Sequence, residues 1–318
     1  WLSDRTNLNK CPECRYIVDR LEPYNELMEL IESKRNQAQS CPPGHTSNRN
    51  LNEMDKFFNL KYMSDKQNEV IRDKCGYAIY VIDNSGSMQH GDGKIFLSRG
   101  DGRFSKIGVT RWQEAVANTV DIAKYNINRR MKAAYYLLNP VRRNDWVMGI
   151  DYIIIDPTIE HSNEYNTLGN MLDESNIRGN TPLDVVTKYI TESMICDDYS
   201  RVPICYCLIT DGCPNNPRLF EDQLRHLANN YHIFLTIVLC TELDNVVEYY
   251  NDLDKKLGSE MSGMDVIDDL ESEQKEVIGA GNTFFVYSKK LHICRAAGCF
   301  SLLADMLDEK PLKEHWSA

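Results

Sequence analysis

Runs of consecutive hydrophobic residues alternate with amphipathic segments through the middle of the chain. The hydrophobic runs predict strands, and the segments between them have hydrophobic positions at helical spacing. The predicted strands are residues 78–82, one or two strands within 146–155, 202–209 and 233–240. The predicted helices are residues 111–128, 181–194, 218–230 and 245–257. This alternation predicts an α/β fold with a doubly wound, mostly parallel sheet that is flanked by helices on both faces.

The two ends of the chain have different patterns and are read as extensions. The N-terminal extension contains cysteines and a predicted linker helix at 24–34, and the C-terminal one contains an acidic, helix-compatible segment at 265–277 and an edge strand at 283–287. We expect the C-terminal extension to pack on or beside the central domain. The predicted boundaries are 1–75, 76–258 and 259–318.

Oxygen-bearing side chains follow two predicted strands and open one predicted helix. Asp83, Ser85 and Ser87 follow the first strand, Thr181 begins a helix, and Asp211 ends another strand. Ligands of doubly wound sheets bind outside the carboxyl ends of the strands. Hydroxyl and carboxylate oxygens suit a hard cation such as Mg²⁺, Mn²⁺ or Ca²⁺. A helix-capping loop would explain Asp and Ser at one of these places, but not all three places together.

In order and approximate spacing, these three motifs resemble the metal-ion-dependent adhesion site (MIDAS) of von Willebrand factor type A (VWA) domains, whose fold is Rossmann-like. The resemblance covers about residues 76–255. It implies that Ser85 and Ser87 ligate Mg²⁺ through their hydroxyls and that Thr181 does so directly or through water. It also implies that Asp83 and Asp211 hold coordinated waters. An Asp or Glu of a protein partner would then complete the octahedron.

An insertion at residues 89–109 separates the first motif from the following helix. Its turn-forming glycines and aspartates predict a short hairpin around residues 94–98, beside the metal site. Metal-dependent hydrolysis would require a general base, and the site motifs contain no histidine. His90 lies in the turn-rich insertion, where we predict a surface imidazole. The sequence therefore favours binding over catalysis.

The first cysteines of the chain suggest a second metal. Cys11 and Cys14, in Cys-Pro-Glu-Cys, resemble the last pair of zinc ligands at the C-terminal end of a RING finger. Six of the eight RING ligands would then have to precede Trp1. Alternatively, Cys11 and Cys14 bind zinc with Cys41 and His45, or these residues bind no metal. Ubiquitin ligase activity, and contact with a ubiquitin-conjugating enzyme, would need a complete RING upstream.

Charge and cysteine usage limit the partners. The chain has 36 basic and 47 acidic residues, a net charge of −11, which argues against nucleic acid and anionic membranes. No hydrophobic run approaches the roughly 18–20 residues that span a bilayer. Several of the eleven cysteines lie within hydrophobic strands, which favours an intracellular, cytoplasmic location. The start at Trp1, without an initiator methionine, is typical of a processed or partial chain.

Three functions fit these patterns. The first is a Mg²⁺-dependent protein–protein interaction module within a larger intracellular complex. The second is the substrate-binding part of a RING-type ubiquitin ligase whose RING is truncated, and the third is a structural component of a large assembly with a vestigial metal site. Self-association, in which Asp268 or Asp269 reaches the metal of another copy, is a further alternative.

Overall fold

The computed structural model describes residues 76–98, 104–140, 152–159, 164–196, 203–258, 260–261, 263–283, 287–298, 307–308 and 311. The N-terminal extension lies outside these residues. The zinc predictions for Cys11, Cys14, Cys41 and His45, and the helix predicted at 24–34, therefore stay predictions.

The described strands and helices alternate along the chain. The strands are β1 (Tyr77–Ile82), β2 (Gly93–Ser98), β3 (Phe104–Val109), β4 (Ala133–Leu137), β5 (Tyr152–Ile155), β6 (Ile204–Thr210), β7 (Ile233–Leu239) and β8 (Gly263–Ile267). The helices are α1 (Arg111–Asn128), α2 (Glu164–Met171), α3 (Leu183–Cys196), α4 (Pro217–Asn230), α5 (Asp244–Leu257), α6 (Leu270–Gly279) and α7 (Lys289–Ala296).

Six of these strands form one sheet, in the order β5-β4-β1-β6-β7-β8. All neighbours are parallel except β4 and β5, which are antiparallel. This confirms the predicted doubly wound, mostly parallel sheet. The chain winds outward from β1 in both directions, so the switch point lies between β1 and β6, where the order of the strands predicts a ligand site.

Helices cover both faces of this sheet. Residues 78, 80 and 82 of β1 share a core with α1, α2 and α7, and residues 77, 79 and 81 share the opposite core with α3, α4 and α5. Every residue of β1 is buried, as expected of a strand that is covered on both faces. The six positions of α1 that we predict to face inward are all buried: Trp112, Ala115, Val116, Thr119, Ile122 and Ala123.

The predicted hairpin is present within the insertion at 89–109. β2 and β3 pair antiparallel, from Gly93 opposite Val109 to Ser98 opposite Phe104. Ile95, Leu97 and Val109 form a small cluster to which Ala117 of α1 adds. The hairpin therefore packs on α1 directly after the first oxygen-bearing loop.

Two predicted elements need correction, and two strands, β4 and β8, were not predicted. The helix predicted at 265–277 is wrong at its start, because residues 263–267 form β8 and α6 begins only at Leu270. β8 thus continues the sheet beyond residue 258, where we placed the end of the domain. α3 begins at Leu183, two residues later than predicted. β4 was not predicted, and residues 284–286 of the predicted edge strand lie outside the described residues.

Candidate metal site

The first site loop leaves the carboxyl end of β1 and holds Asp83 in place. Asp83, Asn84 and Ser85 are buried. The backbone N–H of Ser85 donates to Asp83 Oδ1 (2.8 Å), and the hydroxyl of Thr210, at the end of β6, donates to Asp83 Oδ2 (2.7 Å). Both oxygens of the carboxylate are therefore oriented by the ends of two neighbouring strands.

The serine hydroxyls connect this loop to Asp211. Ser85 Oγ lies 3.0 Å from Ser87 Oγ, and Ser87 Oγ donates to Asp211 Oδ1 at 2.9 Å. Asp211 is buried directly after β6. Four of the five oxygen-bearing residues thus lie together at the switch point of the sheet.

The loop that carries Thr181 lies against the other two. The backbone N–H of Gly86 donates to the carbonyl of Gly179 (3.1 Å). A Cβ added at Gly212 would lie 3.4 Å from Thr181 Oγ1. Thr181 is itself buried, and its hydroxyl lies beside Gly212, the residue that follows Asp211.

Asparagines that the sequence analysis did not name fix the relative positions of these loops. The amide of Asn84 donates to the carbonyls of Asn139 (2.9 Å) and Asn176 (2.7 Å) and accepts from the N–H of Asn139 (2.7 Å). The Asn139 amide donates to the carbonyl of Asn180 (2.8 Å). Asn215 accepts from the N–H of Thr181 (3.2 Å). Asparagines directly after strands or beside glycine are the local signal that could have pointed to them.

Asp83 and Asp211 place two carboxylates close together in a buried position, where a nearby positive charge would stabilise them. Burial, together with the negative charge of Asp211, raises the pKa of Asp83 to about 6. The hydrogen bonds from Thr210 and Ser85 act in the opposite direction but do not offset burial. A bound cation would stabilise both carboxylates in their charged form. Two buried carboxylates and three hydroxyls, all oxygen donors, therefore fit Mg²⁺, Mn²⁺ or Ca²⁺.

Arg111 is a charged member of this cluster that the sequence analysis missed. Its side chain is 3% exposed. Its Nη1 donates to Asp211 Oδ2 (2.8 Å), while Nε and Nη2 donate to the two oxygens of Asp92, each at 2.6 Å. The hydrogen bonds to Asp92 and Asp211 raise the pKa of Arg111, and Arg111 in turn lowers the pKa of Asp92.

A sequence signal for Arg111 does exist. Thr110 caps α1 with its side chain, so Arg111 is the first helical residue. A cation at this position opposes the helix dipole, and a buried arginine there requires partners. Asp92 and Asp211 are those partners.

Two further polar residues, His90 and Asp269, are not among the five oxygen-bearing residues of this site. His90 is exposed, as predicted for a surface imidazole. Asp269 is buried, accepts from the N–H groups of Glu271 and Ser272, and pairs with Lys94 at 3.0 Å. Its carboxylate is therefore engaged within the chain. The self-association predicted through Asp268 or Asp269 stays a prediction.

A group of three carboxylates lies near the C-terminal end of the described chain. The group comprises Glu273, Glu276 and Asp308, whose oxygens lie within 4.8 Å of one another. The guanidinium of Arg295 pairs with Glu273 and lies 3.5 Å from Asp308. Arg295 therefore supplies positive charge to this group, which none of the predicted site residues joins.

No protein-family model and no curated protein matches this chain. Similar solved structures include the SpRpn10 VWA domain, at 11% identity and a TM-score of 0.39 over 61% of this chain and 88% of that one. The PilB minor pilin of Streptococcus sanguinis has 12% identity and a TM-score of 0.44 over 71% and 63%. A von Willebrand factor type A protein of Catenulispora acidiphila has 13% identity and a TM-score of 0.36 over 62% and 39%. The similarity to these structures is one of fold alone.

Within the described ranges, every helix is too short or too polar to cross a lipid bilayer.

Proposed function

We propose that this chain is a protein-interaction module that binds an acidic residue of a partner protein through a divalent cation, with Mg²⁺ as the expected ion. The supporting observation is the convergence of Asp83, Ser85, Ser87, Thr181 and Asp211 at the switch point of the sheet. Ser85, Ser87 and Thr181 would hold the ion, with Asp83 and Asp211 supporting it. When bound, the ion supplies the positive charge that attracts a carboxylate.

The donor set explains why a carboxylate is the expected ligand. Hydroxyls are neutral donors and leave most of the charge of the ion uncompensated. One of the two carboxylates, Asp211, is already paired with Arg111. The local charge therefore favours an additional anionic ligand, which a partner's Asp or Glu would provide.

Removal of the two serine hydroxyls tests the metal site. We expect the double variant Ser85→Ala/Ser87→Ala to lose Mn²⁺ affinity by at least about 10- to 100-fold, the loss that outer-shell substitutions alone typically cause. Titration of the full chain with Mn²⁺, followed by electron paramagnetic resonance, measures this. Ser193→Ala is the matched control, because Ser193 Oγ donates to the carbonyl of Tyr189 within α3, away from the site. Equal Mn²⁺ affinity in all three proteins would overturn the metal site.

Capture experiments test the interaction itself. The immobilised chain should retain a partner in Mg²⁺ and release it in EDTA, and the double variant should not retain it. Replacement of the partner's critical Asp or Glu by Asn or Gln should abolish the binding. A partner that binds equally in EDTA would contradict the proposed function even if the chain binds Mn²⁺.

A further inference from the structure

Arg111 occupies one side of the Asp211 carboxylate at the candidate metal site. Arg111 Nη1 lies 2.8 Å from Asp211 Oδ2, and Ser87 Oγ donates to Asp211 Oδ1 at 2.9 Å. The side chain of Asp211 is fully buried. Both carboxylate oxygens of Asp211 therefore accept hydrogen bonds from side chains of the protein.

Arg111 is in turn held by the loop that leads into the hairpin. Its Nε and Nη2 donate to Asp92 in a two-pronged contact, the geometry in which arginine binds carboxylates most specifically. Asp92 directly precedes β2, and its side chain is 58% exposed. The guanidinium is thus anchored at one end by the insertion and directed at Asp211 at the other.

The contact with Arg111 opposes direct coordination of a cation by Asp211. Rotation of the carboxylate into direct contact with the ion would weaken the contact with Arg111 and leave a buried guanidinium with one partner fewer, which is costly. The guanidinium charge also reduces the strength of Asp211 as a donor. A carboxylate that stays outside the inner shell leaves the ion more positive and leaves one of its positions to water or to another ligand.

We propose that Arg111 is a positioning residue that keeps Asp211 from direct ligation and thereby keeps a coordination position open for a carboxylate ligand. This inference rests on the proposed function, because it concerns the same ion. It adds a role for the insertion at 89–109, since Asp92 of that segment fixes the guanidinium.

The number of water molecules on bound Mn²⁺ tests this role without knowledge of the partner. Enhancement of water-proton relaxation reports inner-shell waters on the ion, and acetate serves as the carboxylate probe. In Arg111→Gln we expect Asp211 to become a direct ligand. Bound Mn²⁺ should then carry one water fewer, bind about tenfold more tightly because a nearby positive charge is gone, and respond less to acetate.

Three further variants make the result decisive. Arg111→Lys keeps a charge beside Asp211 and should retain the wild-type water count. Asp211→Asn should also leave that count unchanged, because loss of an outer-shell group exposes no new position on the ion. Arg225→Gln is the control, since Arg225 is partly exposed on α4 and pairs with the surface acids Asp222 and Glu260.

The outcomes separate this inference from the proposed function. A gain of one water in Asp211→Asn would show that Asp211 is already a direct ligand and would overturn the inference, even if Arg111→Gln fails to fold. Weaker Mn²⁺ binding in Arg111→Gln, in proportion to lost stability, would also overturn it. If the wild-type chain binds no Mn²⁺, both proposals fall. If Mn²⁺ binds through Ser85 and Ser87 but Asp211 ligates it directly, only the inference falls.

Discussion

Gly179 sets the backbone of the loop that presents Thr181. Its φ is +73°, in the left-handed region, and an added Cβ would lie 2.5 Å from Asn139 Oδ1. The Asn139 amide holds the same loop through the carbonyl of Asn180. A side chain at residue 179 would therefore strain the backbone and displace the asparagine that fixes the loop.

We expect Gly179→Ala to lower the free energy of unfolding by about 1–3 kcal/mol and to weaken Mn²⁺ binding. Urea unfolding and Mn²⁺ titration measure the two effects. Gly86→Ala is the control at the same site, because Gly86 is exposed and its Cβ would be 3.7 Å from the carbonyl of Gly179. That variant should stay within about 0.5 kcal/mol of wild type. Equal losses in the two variants would contradict the role assigned to the left-handed φ.

Single residues also show what a sequence can and cannot reveal about this site. Asp83, Ser85 and Ser87 could be named because a carboxylate and two hydroxyls lie close together directly after a hydrophobic run. Arg111 could not be placed in the site by local spacing, because it contacts Asp211, 100 residues away in the chain. The contacts of Asn84 with Asn139 span 55 residues. Side chains that orient a site act across such distances, and local patterns carry little trace of them.

Lys94 connects the β2–β3 hairpin to three neighbouring parts of the chain. The backbone N–H of Lys94 donates to Glu114 Oε2 of α1 (2.9 Å), and its Nζ contacts Asp269 (3.0 Å) and Glu242. Glu114 is 7% exposed. Burial raises the pKa of Glu114 to about 8, although the Lys94 backbone contact acts in the opposite direction.

The raised pKa of Glu114 predicts a pH dependence of stability. The folded state holds the proton more tightly than the unfolded chain, whose glutamate pKa is 4.5. The stabilisation from this group is therefore fully present below pH 4.5 and is lost as pH rises through 8. We expect Glu114→Gln to gain stability relative to wild type between pH 5 and pH 8, by at most about 1.4 kcal/mol per pH unit. Urea unfolding across this range checks it, and parallel curves for the two proteins would contradict it.

At the scale of elements, prediction succeeded where the hydrophobic pattern was uninterrupted. β6 and β7 are buried at every position, and their sequences are nearly continuous hydrophobic runs. β4 is an exception, because Ala133–Leu137 is also an uninterrupted hydrophobic run. It was missed because its alanines and leucine favour helices and it has no β-branched residue, although Tyr135 and Tyr136 favour strands. β8 was missed because Asp265 interrupts its hydrophobic pattern. The charge of Asp265 is accommodated by Arg295, 30 residues further along.

The fold extends beyond residue 258, where we placed the end of the central domain. Ala296 and Ala297, at the end of α7, belong to the same core as β1 and α1. The carbonyl of Ala297 accepts from Tyr80 (3.3 Å) and from Arg129 Nη2 (2.8 Å). The doubly wound architecture followed from the alternation of strands and helices. The C-terminal end of the domain could not be predicted in this way, because long-range polar and charged contacts join α7 to the sheet.

Arg295 links the three C-terminal elements and tests whether they fold with the sheet. It is buried, donates to both oxygens of Asp265 in β8 (2.8 and 3.0 Å), and pairs with Glu273 of α6. Its Nη1 also donates to the hydroxyl of Tyr287 (3.0 Å). Loss of the guanidinium would leave the buried carboxylate of Glu273 and the partly buried carboxylate of Asp265 without their cation, which costs about 3–5 kcal/mol.

We therefore expect Arg295→Met to lower the free energy of unfolding by about 3–5 kcal/mol, whereas Arg225→Met should cost less than about 1 kcal/mol, because its ion pairs are exposed. Urea unfolding measures both. Hydrogen exchange distinguishes one cooperative unit from two: in one unit, the amides of β6 and β7 lose protection together with those of β8 and α7. If Arg295→Met reduced protection only in β8, α6 and α7, these elements would be a separate unit, and the domain would end near residue 258 after all.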